Sequence, residues 1–258
     1  MSIQDKAAEL LRLHTVPELL SVVNVWDVIS AKVIADLPET KALATASHSI
    51  AASWGYPDGE KIPLDIMIES VGRIAAATEL PVSADLEGGY GNAGETVRRA
   101  IGVGIVGANI EDQMKPLNEA VASVAAVVAA AEQEGVPSFV LNARTDAFIK
   151  AGDRSRDEVI ADAIERGLAF LEAGAACFFV PGVRGEEEIT RLVDAIGERR
   201  LSVIGGPTSL PPARLAELGV TRVSYGPWSQ RLALTALADA ASALYAGGTL
   251  PETTRALN

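Results

Sequence analysis

Asp85 and Glu87 stand two residues apart in Leu80-Pro81-Val82-Ser83-Ala84-Asp85-Leu86-Glu87-Gly88-Gly89-Tyr90-Gly91-Asn92, where a short apolar run meets a glycine-rich turn. In an extended strand residues i and i+2 point to the same side, so the two carboxylates project together from the strand's end. That arrangement suits a hard divalent cation. Magnesium takes oxygen ligands, is held through one or two carboxylates and keeps several waters. A solvated acidic turn is the plainer reading of the same residues.

The elements that must position this pair repeat along the chain. Apolar runs that read as strands lie at 19–27, 41–47, 80–87, 107–113, 138–144, 176–181, 201–206 and 222–226. Helical spacing follows each of them, at 28–37, 64–79, 94–102, 118–134, 155–174, 186–196, 211–218 and 228–245, and residues 48–60 read as a loop. Ser155-Arg156-Asp157-Glu158 is a capping box that opens one helix, and Gly135 closes another. An amphipathic helix over 3–14 precedes the first strand and is placed to cover one end of a barrel. Alternating strands and helices with continuous apolar strands signify a parallel sheet. The predicted fold is therefore a (β/α)8 TIM barrel forming one domain over 1–258. A doubly wound sheet is the competitor, but no Gly-x-Gly-x-x-Gly turn follows the first strand.

Barrel chemistry gathers at the carboxyl ends of the strands, and the polar residues collect there. Asp27 ends the first strand, Ser47 and His48 the second, Asp85 and Glu87 the third, Glu111 and Asp112 the fourth, and Arg144 with Asp146 the fifth. One arginine does not neutralise so many acids in a low-dielectric cleft, and a divalent cation would. Asp27 and Asp112 also suit helix N-caps. His48 is the better placed of the two histidines for proton transfer, and His14 on the first helix reads as structural.

Composition narrows the partners. The net charge of −12 argues against nucleic acid or an anionic membrane. The most apolar run, 119–132, falls short of a membrane span, and the N-terminus lacks a secretory pattern. Cys177 is the single cysteine, so it forms no internal disulfide, which fits a cytoplasmic protein.

Three segments in register, Asp85-Leu86-Glu87-Gly88-Gly89-Tyr90-Gly91-Asn92, Ile110-Glu111-Asp112-Gln113 and Asn142-Ala143-Arg144-Thr145-Asp146-Ala147, resemble motifs of the isocitrate lyase and phosphoenolpyruvate mutase superfamily. The resemblance implies a barrel whose last helix is exchanged between partners in a dimer or tetramer. It also implies a Mg2+ site for a small α-keto or α-hydroxy acid. Carried over residue by residue, it puts Asp85 against the metal, has Glu87, Glu111 and Asp58 hold metal-bound waters, and lets Arg144 grip the acid bidentately. Thr45-Ala46-Ser47-His48 is similar to the superfamily's substrate cradle, although glycine is commoner there where Ser47 or His48 stands.

The chain also departs from that pattern. The superfamily's carbon–carbon lyases carry a cysteine in a mobile loop after the fourth strand, where this chain has Met114-Lys115-Pro116-Leu117-Asn118-Glu119. Cys177 reads as a core residue. Lys115 and Asn118 are at most a remnant of the longer phosphonomutase loop. The leading expectation is a carbon–carbon lyase or decarboxylase that works through an enolate. A phosphonomutase-type C–P rearrangement and a non-catalytic metabolite-binding barrel are the alternatives. No lysine lies on the sixth strand, and Lys115 and Lys150 sit on loops, which weakens a Schiff-base aldolase.

Overall fold

Every strand runs parallel to its neighbours, and the ring closes through a first strand that is broken in two. The computed structural model describes residues 1–257. The chain order is α1 (Ile3–Thr15), β1 (Leu20–Val22), β2 (Asn24–Val25), α2 (Val28–Ala35), β3 (Leu43–Thr45), α3 (Ser47–Ser53), α4 (Leu64–Ala76), β4 (Val82–Asp85), α5 (Ala93–Gly102) and β5 (Gly107–Glu111). It continues with α6 (Leu117–Gln133), β6 (Val140–Arg144), α7 (Arg156–Glu172), β7 (Cys177–Phe179), α8 (Glu186–Ile196), β8 (Leu201–Ile204), α9 (Pro212–Glu217), β9 (Val220–Ser224) and α10 (Trp228–Tyr245). The sheet order is β1-β9-β8-β7-β6-β5-β4-β3-β2. Only Val23 separates β1, which pairs with β9, from β2, which pairs with β3. The two segments thus act as one strand that joins both edges into the expected (β/α)8 barrel.

Asn24 explains why the break holds. Its Nδ2 donates to Thr45 O at 2.7 Å, and its Oδ1 accepts from Tyr225 N and Gly226 N, each at 2.7 Å. One buried amide therefore stitches the chain after β9 to β3, replacing ladder bonds that the interruption forgoes. Two expectations are corrected here. The strand expected over 41–47 is limited to Leu43–Thr45, and the supposed loop after it begins with α3. The helix forms because Ile50 and Ala51 bury against the barrel, whatever its serines and histidine prefer locally.

Beneath the site, the inward positions of successive strands carry polar side chains. Asn142 Nδ2 donates to Asn109 Oδ1 at 2.8 Å and to Ser202 Oγ at 3.3 Å. Arg222, fully buried on β9, donates to Ser83 Oγ at 3.2 Å. Burial pulls the Arg222 guanidinium down to about 10. Cys177 is buried, as expected of a core residue, and burial pushes its thiol up to about 12.

Helix α1 covers the opposite end of the barrel from the site. Ala7, Leu10, Leu13 and His14 form its buried side. Burial, and secondarily Arg222, depress the His14 imidazole to about 3, which fits the structural role expected of it. Leu10 reaches under the start of β5, where a Cβ on Gly107 would lie 2.7 Å from Leu10 Cδ2 and 2.9 Å from Val140 O. At the other terminus α10 buries only Gln230 and leaves Leu232, Leu234 and Leu237 exposed. Among the described residues, no helix is long and apolar enough to cross a membrane.

The contact at Gly107 gives a stability test. Gly107→Ala forces α1 and β6 apart, so urea unfolding should show a loss of about 1–3 kcal/mol. An unchanged midpoint would mean that α1 is not seated on β5.

Candidate active site

The strand ends converge as expected. A cavity of about 190 Å³ opens at the carboxyl mouth, lined on one side by Ser47, His48, Asp58, Asp85, Asn109 and Arg144. Its size suits a small organic acid, since pockets for larger ligands run to about 300–1,000 Å³.

Asp85 ends β4. Its Oδ2 accepts from Ser47 Oγ at 2.9 Å and Ser47 N at 3.3 Å, while its Oδ1 is buried without a partner. Thr45 Oγ1 accepts from Asp85 N at 3.0 Å and so fixes the strand end. Glu87 lies just behind. Tyr90 OH donates to its Oε1 at 3.1 Å, and the Glu60 amide donates to its Oε2. Glu60 in turn accepts from Tyr90 N at 2.7 Å.

The backbone around these acids is strained. Glu60, Glu87, Tyr90, Gln113 and Met114 all have φ between 52° and 60°, a left-handed conformation that non-glycine residues rarely adopt. Such clustered outliers mark functional sites, where surrounding contacts over-determine the backbone.

Glu111 ends β5 and meets Arg144 Nη1 at 2.8 Å. Asp146 holds the other edge of that guanidinium, 2.9 Å from Nε and 2.8 Å from Nη2. Lys150 pairs with Asp146 at 3.0 Å. Burial pushes the Glu87 carboxyl up to about 7, with Asp85 and Asp58 adding to the rise. Burial likewise pushes Glu111 up to about 7; Arg144 opposes this, and Asp146, Asp85 and Glu87 reinforce it. The negative charge at this mouth therefore exceeds what Arg144 offsets.

Among the described residues, no three His, Cys, Asp or Glu side chains draw together closely enough to hold an ion unaided. A cation here takes much of its shell from water, as magnesium commonly does. The unpartnered Asp85 Oδ1 and the two raised carboxyls fit such an ion.

Other sequence expectations separate at this point. Asp27 is the N-cap of α2, accepting from Ser30 N. Asp112 is no cap. It is buried and accepts from Thr145 Oγ1 at 2.7 Å, Met114 N at 2.9 Å, Asp146 N at 3.0 Å and Arg166 Nη1 at 3.1 Å. It thereby ties the end of β5 to the segment that carries Asp146. His48 sits in the first turn of α3, with Nδ1 buried and unpartnered. Asn24, Asn109 and Ser224 also line the cavity but did not stand out in the sequence. Spacing could have flagged Asn109, which shares the inward side of β5 with Glu111.

The family model for phosphoenolpyruvate phosphomutase matches residues 10–245. The chain belongs to the phosphoenolpyruvate mutase/isocitrate lyase superfamily. It is 32% identical over 256 residues to 2,3-dimethylmalate lyase of Eubacterium barkeri, covering 93% of this chain and 86% of the relative. It is also 32% identical over 224 residues to oxaloacetate decarboxylase of Pseudomonas aeruginosa strain UCBPP-PA14, covering 84% and 77%. Among solved structures it resembles oxaloacetate acetylhydrolase in complex with oxalate, with TM-score 0.86, 26% identity and coverage of 97% and 91%. A provisionally assigned phosphonomutase from Burkholderia cenocepacia J2315 gives TM-score 0.87 at 36% identity, covering 96% of this chain and all of that one. The superfamily is metal-dependent. Against its cysteine-bearing lyases, the segment joining β5 to α6 is only Asp112–Pro116 and carries no cysteine.

Asp112 offers a test of this framework. Asp112→Ala leaves Arg166 paired only with Asp162 and strips the partners from Thr145 Oγ1 and the amides of Met114 and Asp146, so chemical denaturation should show a loss of about 2–3 kcal/mol. A loss below about 1 kcal/mol would show that the network does not hold the β5 and β6 ends together.

Proposed function

We propose that the chain is a magnesium-dependent lyase that breaks a carbon–carbon bond in a small 2-oxo or 2-hydroxy acid through an enolate. The observation that carries this reading is that Asp85, with one oxygen unpartnered, and the guanidinium of Arg144 line the same small cavity. The relatives named for dimethylmalate cleavage and oxaloacetate decarboxylation support it.

Asp85 would hold Mg2+ directly, and Glu87, Glu111 and Asp58 would hold its waters. When bound, the ion withdraws electron density from the acid's carbonyl oxygen and so favours the enolate. The protein's own residues orient and enclose the acid. Arg144 is fixed along one edge by Asp146, which leaves Nη1, shared with Glu111, to meet the substrate carboxylate. Ser47 and His48 close the side of the cavity next to Asp85, where His48 Nδ1 is buried without a hydrogen-bond partner.

The exposed leucines of α10 suit exchange of that helix between copies, which supports a dimer or tetramer. The buried single cysteine agrees with a cytoplasmic setting.

The direct test is a panel of 2-oxo and 2-hydroxy acids with Mg2+, read by pyruvate release. Turnover should appear for at least one of them and vanish in Asp85→Ala. Turnover that survives that change would overturn the metal assignment. Arg144→Lys should raise KM for the acid by about tenfold, because one ammonium does not meet Asp146, Glu111 and the substrate carboxylate at once as the planar guanidinium does. An unchanged KM would remove Arg144 from the site.

The raised carboxyls predict a pH dependence. Glu87 and Glu111, near 7 rather than 4.5, are largely protonated at pH 6 and ionised at pH 8. A cation binds the ionised forms and must displace protons from the others. Mg2+ should therefore raise Tm more at pH 8 than at pH 6. An equal rise at both would place these two acids away from the ion.

A further inference from the structure

Among the described residues, Arg222 is a fully buried arginine that pairs with no carboxylate. Its Nη1 donates to Ser83 Oγ at 3.2 Å, and its Nε and Nη2 are buried without hydrogen-bond partners. Arg166, which is also buried, pairs with both Asp112 and Asp162. An unpaired buried charge is costly, and one hydrogen bond offsets little of that cost. An apolar side chain of similar volume is often the more stable occupant of such a position. Fold stability therefore does not account for Arg222.

Its place in the barrel does. Ser83 stands two residues before Asp85 on β4, and Arg222 two before Ser224 on β9, so each pair shares the inward side of its strand. Asp85 and Ser224 line the cavity. Arg222 thus reaches across the barrel one step beneath the cavity, about 7 Å down at the usual strand rise. Its charge is felt in both directions. Toward α1 it adds to the burial that depresses His14. Burial lowers the guanidinium itself, but Cys177 and then Asp85 at the mouth oppose that, and at about 10 it stays protonated at neutral pH.

Resting on the function read above, we propose that Arg222 is a positioning residue for that reaction: a fixed positive charge under the cavity that strengthens binding of the organic anion and restrains affinity for the divalent ion. It touches neither of them. The carboxylates at the mouth share one sign and Arg144 is divided between Glu111 and Asp146, so an anionic acid entering there is repelled. A guanidinium beneath the floor offsets part of that repulsion. It also favours the negative charge that gathers on the acid's oxygen in the enolate, from a buried position that solvent screens weakly. Because packing and Ser83 already hold it, no reorganisation is required when that charge develops.

The test removes the charge in two chemically different ways, Arg222→Met and Arg222→Gln, and reads binding rather than turnover. Mn2+ is titrated by electron paramagnetic resonance. Oxalate, a dianion shaped like the enolate of a 2-oxo acid, is titrated by calorimetry into chain saturated with Mg2+. Charges about 7–10 Å apart at an effective dielectric of about 20 shift a binding equilibrium about tenfold. Both variants should therefore bind Mn2+ about tenfold more tightly and oxalate about tenfold more weakly than the unaltered chain. Ser83→Ala, which removes the hydrogen bond and keeps the charge, should leave both affinities within about twofold.

A purely structural arginine would not move the two affinities in opposite directions. Unchanged affinities, or a weakening of both together, would overturn the proposal. Shifts in Ser83→Ala as large as those in the Arg222 variants would overturn it too, by assigning the effect to the hydrogen bond. If Arg222→Met does not fold, Arg222→Gln carries the comparison, and failure of both to fold overturns the proposal by assigning the guanidinium to the scaffold. The broader reading stands wherever the unaltered chain binds both probes; if it binds neither, that reading falls and the proposal falls with it.

Discussion

Repulsion among carboxylates at one barrel mouth is the constraint on which the rest of this structure depends. Asp85, Glu87, Glu111 and Asp58 face a common region, and burial together with their mutual charge holds two of them near neutrality in pKa. Arg144 is already shared between Glu111 and Asp146. Stability alone would favour replacing such a cluster with apolar side chains. Its persistence at the end of rigid strands, beside an unpartnered carboxylate oxygen, is the pattern of a site that meets a cation.

The scaffold keeps that arrangement rigid from below and from the sides. Hydrogen bonds among Asn109, Asn142 and Ser202, with Arg222 Nη1 on Ser83, run through the barrel interior under the acids, although Asn142 Oδ1 and two of the Arg222 nitrogens are buried there without partners. Asn24 closes the ring at the split strand, and Asp112 binds the β5 and β6 ends into one unit. The left-handed residues Glu60, Glu87 and Tyr90 are then joined across two loops, with Glu87 accepting from the Glu60 amide and Tyr90 OH and Glu60 accepting from the Tyr90 amide. Charge and strain are concentrated in one place, on a scaffold tied together by the Asn24 and Asp112 networks.

Much of this was legible in the sequence because it obeys local rules. The Ser155 capping box starts α7, and Gly135, with φ of 70°, follows α6 as a helix stop; strand alternation does not reach Glu87, because β4 ends at Asp85 and Glu87 is left-handed with φ of 54°. The repeat of strand and helix gave the barrel. What escaped is what tertiary contact decides. Nothing local distinguishes Asp112 as a buried network hub from Asp112 as a cap, because its partners Thr145 and Arg166 come from other elements. Helix α3 was read as a loop since its polar residues hide two buried apolar ones. The break at Val23 and the role of Asn24 depend on ring closure, and Glu60 reaches the site only through the fold of its loop. The inward polar layer departs from the expectation of apolar strands, because its side chains hydrogen-bond across strands that are distant in the sequence.

The most direct test of the account is binding of a spin-active substitute for magnesium. Titration of the chain with Mn2+, followed by electron paramagnetic resonance, should show a single site of one ion per chain, displaced by Mg2+ and lost in Asp85→Ala. Binding of equal strength and stoichiometry in that variant, or no saturable site in the unaltered chain, would contradict the claim that these carboxylates are gathered to hold a divalent cation.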